Sequence, residues 1–367
     1  MNILLLSKNF NYGGIIENII TLSAKLNNRG HNVIVATYKG TNKIDNLTNN
    51  GVGHNLINFN INNPFVFFQS VKKLKNIINE NKIDIVHCHF RVCCLYMEFL
   101  QKFSKIKVPY VWSNHLNNIP HSFIHKIFTF SGSKVITVST DLKEFLIGKL
   151  GIPADKIEVV LNGIELNDFI PPDESKKLEL KKKFNVEGKK VITLLGRLAE
   201  VKGHIYAIQA LAKLKKDYDI KNIVLIFTGE GKKNYKESLI QESEALGVLS
   251  NIKFVGHVKA NEILSISDLM ISPSLNEGFL NAAVEAFAMK VPVIRTNTAG
   301  YLDMAEVCVG IEVGDTVALA KEIINIVIDN VDTTDIKNKA YEFVKNKCTI
   351  DVRANKLLDI YSKVIVK

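Results

Sequence analysis

The run Ile3-Leu4-Leu5-Leu6, the pair Gly13-Gly14 and the run Val33-Ile34-Val35 follow one another at the start of the chain. Between the pair and the second run, apolar residues recur at helical spacing over residues 15–29, and Gly30 stands where a helix commonly ends. Short continuous apolar runs are typical of strands that are buried on both faces of a parallel sheet. The opening of the chain therefore predicts a strand–helix–strand unit.

The same alternation continues through the chain with one interruption. At residues 165–186, prolines and a run of lysines indicate a linker and an exposed charged helix. Further strands are predicted on both sides of it, at residues 83–89, 108–112, 134–138, 191–195, 223–228, 252–255, 269–272 and 292–295. We therefore predict an α/β fold of the doubly wound type, with two Rossmann-like domains at residues 1–168 and 169–350 that face each other across a cleft. A last helix is predicted within residues 351–367, and the sequence leaves open whether it packs on the second domain or back on the N-terminal domain.

Length and composition indicate a globular protein with two cores. The chain has 367 residues, of which 47% are hydrophobic and 23% are charged. No apolar run approaches the roughly 18–20 residues that span a bilayer. No basic segment precedes the opening run, which favours a buried strand over a signal peptide. Five cysteines, an odd number in a long chain, argue against a disulfide framework. We expect a cytoplasmic protein.

Positive charge is concentrated in the first half of the chain. The net charge is +10, and residues 1–170 hold 18 Lys and Arg against 11 Asp and Glu. This excess suits an anionic acceptor, or peripheral contact with an anionic membrane at the inner face of the plasma membrane. A merely solubilising surface is an equal alternative. Because no nucleic-acid recognition motif accompanies the charge, no nucleic-acid partner is predicted.

The most specific stretch is Ser272-Pro273-Ser274-Leu275-Asn276-Glu277-Gly278-Phe279-Leu280-Asn281-Ala282-Ala283-Val284-Glu285-Ala286. It follows an apolar run and leads into an alanine-rich helix, which predicts Glu277 on the loop and Glu285 about one turn into the helix. A glutamate at the mouth of a helix can accept hydrogen bonds from sugar hydroxyls. The bare amides that follow Glu277 suit a phosphate group.

This stretch resembles the Glu-x₇-Glu signature of the retaining glycosyltransferases of family four, which have the GT-B fold. Other segments resemble motifs of that family in the expected order: Gly13-Gly14-Ile15-Ile16-Glu17, Val159-Val160-Leu161-Asn162-Gly163-Ile164, Leu195-Gly196-Arg197-Leu198-Ala199-Glu200-Val201-Lys202-Gly203, Phe227-Thr228-Gly229-Glu230-Gly231 and Phe254-Val255-Gly256-His257-Val258. Leu161 departs from the family pattern, which has proline there. The resemblance covers nearly the whole chain.

The resemblance implies roles for particular residues. Glu277 is expected to contact the transferred sugar, and Glu285 the ribose hydroxyls of the donor nucleotide. The other donor-binding positions that it implies are Gly278, Phe279, Leu280, Asn281, Gly256, His257 and Val258. His115 matches a histidine that lies near the transferred sugar in relatives. Gly13 and Gly14 match the acceptor-side loop.

Arg197 and Lys202 supply positive charge after a predicted strand. When a glycosidic bond to a nucleoside diphosphate breaks, negative charge accumulates on the phosphates, and cationic side chains stabilise it. Together with Glu277 and His115, whose roles the resemblance implies, Arg197 and Lys202 form the predicted catalytic group. The donor is a nucleotide-sugar, with a UDP-sugar expected and GDP-mannose still open, and no metal or other cofactor is required.

Three patterns contain residue types that can bind a metal ion. In His87-Cys88-His89, strand alternation puts both histidines on one face, where they touch acceptor or pack. His121 and His125 stand four residues apart and could share a helix face. Asp217-Tyr218-Asp219 precedes a predicted strand, where a solvated turn is favoured. No Cys-x₂-Cys or His-Glu-x-x-His motif accompanies them, so no metal site is predicted.

Two aromatic stretches bear on membrane contact. Pro64-Phe65-Val66-Phe67-Phe68 precedes Lys72 and Lys73, and a second stretch covers residues 123–130. Aromatic and basic residues together suit a lipid interface, but the same residues suit the core of two helices.

The predicted function is retaining transfer of a hexose or N-acetylhexosamine from a nucleotide-sugar to a saccharide or lipid-linked saccharide. A surface glycan such as lipopolysaccharide, O-antigen or capsule is the expected product. A nucleotide-sugar epimerase of the same fold and a non-catalytic nucleotide-sugar-binding module are the alternatives. A nicotinamide dehydrogenase is disfavoured, because Gly13-Gly14 lacks the Gly-x-Gly-x-x-Gly spacing.

Overall fold

The computed structural model describes residues 1–8, 10, 13–38, 43–117 and 119–366. The chain divides into two compact units, one formed by Met1–Gly163 with Thr349–Lys367 and the other by Ile164–Cys348. The boundaries predicted at residues 168 and 350 therefore lie a few residues beyond the observed ones. At the observed boundary the two connecting segments, at residues 163–164 and 348–349, lie side by side. A Cβ on Gly163 would lie 2.5 Å from the Thr349 carbonyl oxygen, and the Ile164 amide donates to the Cys348 carbonyl at 2.9 Å.

The first unit contains a seven-stranded parallel sheet. Its strands are β1 (Asn2–Ser7), β2 (Asn32–Thr37), β3 (Gly53–Leu56), β4 (Ile85–Cys88), β5 (Tyr110–Asn114), β6 (Lys134–Thr137) and β7 (Ile157–Val159), in the order β3-β2-β1-β4-β5-β6-β7. Strand β1 is buried on both faces: Leu4 and Leu6 join one apolar core, and Ile3 and Leu5 join the other. This two-sided burial is why the run lacks polar alternation.

Six helices of the first unit connect these strands. They are α1 (Gly14–Asn28), α2 (Lys43–Thr48), α3 (Pro64–Glu80), α4 (Arg91–Phe103), α5 (Phe123–Ile127) and α6 (Thr140–Phe145). Asn63 caps α3 by accepting from the Val66 amide at 3.2 Å, and Pro64 occupies the first helical position. His121 precedes α5, so the prediction that it could share a helix face with His125 is wrong.

The second unit contains a six-stranded parallel sheet. Its strands are β8 (Lys190–Leu194), β9 (Ile223–Thr228), β10 (Ile252–Gly256), β11 (Leu269–Ser272), β12 (Val293–Thr296) and β13 (Val309–Ile311), in the order β10-β9-β8-β11-β12-β13. Its helices are α7 (Glu174–Lys183), α8 (His204–Asp217), α9 (Lys233–Ala245), α10 (Ala260–Leu264), α11 (Asn281–Ala288), α12 (Thr316–Ile323) and α13 (Thr334–Lys347). In the first sheet β1 lies between β2 and β4, and in the second sheet β8 lies between β9 and β11. The strand order thus reverses direction at β1 and at β8. Ligands of doubly wound sheets bind at the carboxyl ends of the strands beside such a reversal.

The last helix, α14 (Ile350–Ile365), belongs to the first unit. Its apolar face joins the core that holds Ile3 and Leu5, through Ile350, Ala354, Leu357, Ile360, Tyr361 and Val364. Asp351 at its start pairs with Lys25 of α1 at 2.8 Å and with Arg29, the residue directly after α1, at 2.5 Å. The side chains of α14 therefore complete one face of the first sheet, although the whole second unit intervenes in sequence.

Leu357→Ala is expected to destabilise the first unit. Leu357 is fully buried, and removing its side chain costs about 2–5 kcal/mol in transfer and cavity free energy. Trp112, the single tryptophan, lies in this unit, so its fluorescence during urea denaturation reports the unfolding. The adjacent Leu358 is only partly buried, and Leu358→Ala should cost clearly less. Equal midpoints for Leu357→Ala and the wild type would contradict this packing of α14.

Candidate functional site

In the second unit, glycines allow close backbone contacts between the loops that follow the strands. Gly203 has φ +70°, and a Cβ there would lie 1.9 Å from the Pro273 carbonyl oxygen. Two residues before Gly203 and two residues after Pro273, the loops meet again, where the Leu275 amide donates to the Val201 carbonyl at 2.8 Å. The loop after β8 and the loop after β11 are thus in backbone-to-backbone contact, and no side chain fits between them.

A second set of glycines joins the loops after β8, β9 and β10. Cβ atoms on Gly229 and Gly231 would lie 2.4 Å from the Gly196 carbonyl oxygen and 2.0 Å from that of Leu198, respectively. The Gly229 amide also donates to the Gly256 carbonyl at 2.6 Å. These contacts bring four of the predicted motifs to one edge of the sheet, at the carboxyl ends of its strands.

Lys202 and Glu277 form an ion pair where the first two loops meet. The Lys202 Nζ donates to the Glu277 Oε1 at 2.7 Å, and the two side chains are 24% and 10% exposed. Arg197 is exposed on the same loop as Lys202, the loop after β8, and no carboxylate among the described residues pairs with it. The site therefore has two cations, Lys202 in an ion pair with Glu277 and Arg197 without a carboxylate partner among the described residues.

Helix α11 begins directly after this pair. Gly278, Phe279 and Leu280 are buried, and no side chain caps the helix at Leu280. Uncapped first-turn amides carry partial positive charge that suits an anion. Asn281 is the first residue of the helix, and it already has an interaction partner in the protein.

Glu285 lies in the second turn of α11 in a partly buried position. Burial raises its pKa to about 7, and no described residue donates a hydrogen bond to its carboxylate. A partly buried carboxylate without a partner among the described residues is typical of a ligand-binding position. At the end of β10, Gly256 has φ +68° with open space around it, His257 is exposed and Val258 is partly buried.

In the first unit, three histidines stack at the ends of β4 and β5. The ring centroids of His87 and His89 are 4.2 Å apart, and those of His89 and His115 are 5.4 Å apart with nearly parallel planes. His89 Nδ1 and His115 Nε2 share a hydrogen bond of 3.1 Å. Cys88, which lies between the first two, points into the opposite core, as strand alternation predicts.

Burial keeps all three imidazoles neutral. Burial lowers the pKa of His115 to about 3, with a further contribution from the positive charge of Arg353. The pKa values of His87 and His89 are also well below their ordinary value, mainly because of burial. His87 is held on both sides, by the Tyr361 hydroxyl at 2.6 Å and by the Ser113 hydroxyl at 2.7 Å.

Arg353 and Tyr361 of α14 were not predicted as site residues. Arg353 is 2% exposed, donates to Asn18 Oδ1 at 2.7 Å and has no carboxylate partner among the described residues. Burial lowers its pKa to about 10. One sequence signal was available, because Arg353 interrupts the apolar stripe of α14 and Tyr361 follows at two further turns. That signal does not indicate that Arg353 and Tyr361 lie near the three histidines.

The glycines of the predicted acceptor-side loop stand at the start of α1. Gly13 precedes the helix with φ +150°, and its carbonyl accepts from the Ile16 amide at 3.0 Å. Gly14 is the first helical residue, and its carbonyl accepts from the Asn18 side chain at 2.8 Å. Both glycines are exposed. Asn18 therefore connects this loop to Arg353.

Within the described residues, no group of three His, Cys, Asp or Glu side chains could hold a metal ion. The five cysteines are buried free thiols. The side chains of Phe123 and Ile124, which belong to the second aromatic stretch, lie outside the described residues. In the part of the chain that is described, no helix is long and apolar enough to span a bilayer.

Solved structures with the same architecture include two that align over almost the whole chain. A glycosyltransferase from Rickettsia africae is 26% identical, with a TM-score of 0.88 over 100% of this chain and 98% of that one. HepE from Anabaena, solved in complex with UDP, is 19% identical, with a TM-score of 0.87 over 99% and 100%. The fold is thus GT-B, with two Rossmann-like parallel-sheet domains, as the sequence predicted.

Sequence comparison gives the family. The family model described as glycosyl transferases group 1 matches residues 175–343, and the one described as glycosyltransferase family 4 matches residues 12–168. The chain belongs to this family of glycosyltransferases, which confirms the resemblance found around Glu277 and Glu285.

Two curated relatives give an idea of the family's range. The GPI3 subunit of phosphatidylinositol N-acetylglucosaminyltransferase from Saccharomyces cerevisiae is 26% identical over 94% of this chain and 80% of its own length. The capsular polysaccharide biosynthesis glycosyltransferase CapM from Staphylococcus aureus is 28% identical over 65% of this chain and 64% of its own length.

Glu285→Gln is expected to flatten the pH dependence of stability. The folded pKa of Glu285 is about 7 and its ordinary value is 4.5, so its contribution is complete below about pH 4.5 and is lost as pH rises through about 7. The wild type should lose about 1 kcal/mol or more relative to Glu285→Gln between about pH 5 and pH 8. Denaturation at several pH values measures this, with the exposed Glu244→Gln as the control. Parallel pH profiles for the wild type and Glu285→Gln would contradict the burial of this carboxyl.

Proposed function

We propose that this protein is a retaining glycosyltransferase that moves a hexose or N-acetylhexosamine from a nucleotide-sugar to a saccharide or lipid-linked saccharide, without a metal ion. The observation that carries the proposal is the Lys202–Glu277 ion pair beside the exposed Arg197 and the uncapped start of α11. Cations and amides converge there at the carboxyl ends of the strands, where a leaving diphosphate requires them.

The chemistry assigns a separate task to each group. The bond between the sugar C1 and the phosphate oxygen breaks as the acceptor hydroxyl oxygen bonds to C1 on the same face. The hydroxyl proton passes to the departing phosphate, and Arg197 with Lys202 stabilises the charge that develops on the phosphates. Glu277, already held by Lys202, accepts hydrogen bonds from hydroxyls of the sugar. Two side-chain cations make a metal ion unnecessary for this step.

The donor proposal extends to the nucleotide. Glu285, with its unpartnered carboxylate, is assigned to the ribose hydroxyls, and the backbone at Gly256, His257 and Val258 to the base. UDP is the proposed nucleotide, supported by the UDP complex of HepE, which shares the fold. GDP is the alternative that a donor panel separates.

The acceptor is proposed to be a surface glycan or its lipid-linked precursor, such as lipopolysaccharide, O-antigen or capsule. The name of CapM, which refers to capsular polysaccharide biosynthesis, supports the glycan. The name of GPI3, which refers to phosphatidylinositol, supports an acceptor that carries a lipid.

A donor panel tests the central proposal. Calorimetry with UDP- and GDP-sugars, with and without EDTA, is expected to give saturable binding of one donor that EDTA does not change. Lys202→Ala should weaken that binding about tenfold or more, because a charge-assisted contact to phosphate is lost. Turnover to free nucleotide in the presence of candidate glycans measures the transfer itself.

The control is Lys213→Ala, which removes an exposed lysine of α8 in the same unit. Equal losses in Lys202→Ala and Lys213→Ala would assign the effect to net charge and not to the site. Absence of binding by every nucleotide-sugar, or its abolition by EDTA, would overturn the proposal. Interconversion of the donor without transfer would identify an epimerase.

We further propose that the first unit contacts an anionic membrane from the cytoplasmic side. Phe65 and Phe68 on α3 are 72% and 58% exposed, and Phe103 at the end of α4 is 71% exposed. Phe68 packs edge-on against Phe99, which in turn packs against Phe103, and Phe65 lies about one helical turn before Phe68 on α3, so the three exposed rings are neighbours in one aromatic patch. The exposed lysines 72, 73 and 102 flank this patch and suit anionic headgroups.

Vesicle co-sedimentation tests the membrane contact. The wild type is expected to bind vesicles that contain phosphatidylglycerol and to bind pure phosphatidylcholine weakly. The double variant Phe65→Ser with Phe68→Ser should bind about tenfold less, because two exposed rings no longer insert. The control pair, Ile170→Ser with Leu178→Ser, removes two exposed apolar side chains of the second unit. Equal binding by the two double variants would contradict the aromatic patch.

A further inference from the structure

A pocket of about 210 Å³ opens in the first unit at the carboxyl ends of β4 and β5. Its polar lining comes from Lys8 after β1, His89 after β4, Arg91 at the start of α4, and Asn114 with His115 at the end of β5. The rest of the lining is mainly apolar and includes Trp112. The proposed donor chemistry, assigned to the second unit, uses none of these groups, although the family resemblance led us to expect His115 near the transferred sugar.

The lining carries positive charge without a matching carboxylate. Lys8 is exposed, and no acidic residue in the described parts of the chain pairs with it or lines the pocket. The Arg91 guanidinium donates to the carbonyls of Pro120 and His125 and to the Thr129 hydroxyl, all uncharged acceptors. These bonds fix Arg91 in place and leave its charge uncompensated.

Three buried nitrogen atoms of the lining residues lack a partner among the residues that the structure describes. They are His89 Nε2, Asn114 Nδ2 and His115 Nδ1, on side chains that are 2%, 3% and 6% exposed. An unpaired polar atom in a buried side chain costs about 1–3 kcal/mol, so such atoms commonly mark a place where a ligand or water completes the hydrogen bonds. Asn114 Nδ2 is a donor by its chemistry.

The hydrogen bond between His89 and His115 determines what their free nitrogens offer. Each neutral imidazole has one N–H. If His89 Nδ1 donates to His115 Nε2, then His115 Nδ1 carries the remaining N–H, and His89 Nε2 accepts. In the opposite arrangement the two free atoms exchange roles. Either way, the pair presents one donor and one acceptor.

We infer that this pocket binds an oxyanion, a phosphate or carboxylate group, carried by the acceptor next to a hydroxyl. Lys8 and Arg91 supply the charge, Asn114 and one imidazole N–H donate to the oxygens, and the other imidazole nitrogen accepts from the hydroxyl. The identity of the ligand as acceptor rests on the proposed function, whereas the oxyanion chemistry rests on the pocket. Buried Arg353, close enough to lower the pKa values of all three imidazoles, adds positive charge behind the lining.

Trp112 makes the pocket directly measurable. It is the single tryptophan and lines the pocket, so a change in its fluorescence reports occupancy there. Glycerol 3-phosphate, glycerate and glycerol form a matched set with a phosphate, a carboxylate and no charge. At constant ionic strength, at least one of the anions should change the fluorescence saturably below about 10 mM, while glycerol should not. The anion that binds more tightly identifies the group.

Variants at an exposed position test the charge without disturbing the core. Lys8→Gln is expected to weaken anion binding about fivefold, and Lys8→Glu to weaken it further. The control Lys149→Gln removes an exposed lysine of the same unit that does not line the pocket, and it should bind like the wild type. Calorimetric binding of UDP should be unchanged in all three variants.

Three results would overturn the inference. These are equal responses to glycerol and to both anions, an anion response that Lys8→Gln leaves unchanged, and competition between UDP and the anion for the Trp112 signal. The last would assign the oxyanion to the donor. Failure of the proposed function looks different: no nucleotide-sugar binds, while the anions still change the fluorescence.

Discussion

Backbone contact at glycine is the constraint on which the second unit's site depends. The Gly203 Cα faces the Pro273 carbonyl, and Gly229 and Gly231 face the carbonyls of Gly196 and Leu198, at distances that exclude any side chain. Loops that follow different strands are thereby held as one layer. The Lys202–Glu277 pair lies on this layer, so its geometry follows from contacts that involve neither side chain. The glycines are required because they have no side chain. A Cβ at these positions would push apart the loops that carry the charged residues.

Electrostatics in the two units follow different rules. In the second unit, Glu277 neutralises Lys202, Arg197 stays exposed, and Glu285 is held with a raised pKa in a position that a hydroxyl-bearing ligand would satisfy. In the first unit, buried Arg353 has no carboxylate partner in the described part of the chain, and the stacked imidazoles of His87, His89 and His115 remain neutral beside it. The second unit therefore has an ion pair and one further cation, Arg197. The first unit has a buried cation, Arg353, beside neutral hydrogen-bond donors and acceptors. Both arrangements favour anionic partners, by different means.

The last helix connects these properties to the fold. Its apolar face completes one core of the first unit, and the same face places Arg353 and Tyr361 beneath the histidines. Tyr361 and Ser113 hold the His87 ring from both sides, so its orientation depends on a residue 274 positions away in sequence. A helix that serves packing thus also contributes to the electrostatics of the pocket.

Local sequence by itself determined the α/β class, the two series of strands and the family. Runs such as Ile3 to Leu6 are buried on both faces, and this kind of burial leaves an unambiguous apolar signature. Strands β3, β7 and β13 were not predicted, because each has only three or four residues, which is too short to give a clear apolar run. The string from Glu277 to Glu285 also predicted its own loop and helix, since both residues belong to one continuous segment.

Tertiary structure alone decided which distant groups meet. The sequence predicted Lys202 and Glu277 as site residues but gave no means of pairing them, because the pairing comes from the contact between Gly203 and Pro273. It likewise gave no reason to place Arg353 beside His115, since contacts between segments more than 200 residues apart are set by the packing of the whole core. Local periodicity encodes which face of an element is buried, and only the assembled core determines what lies against that face.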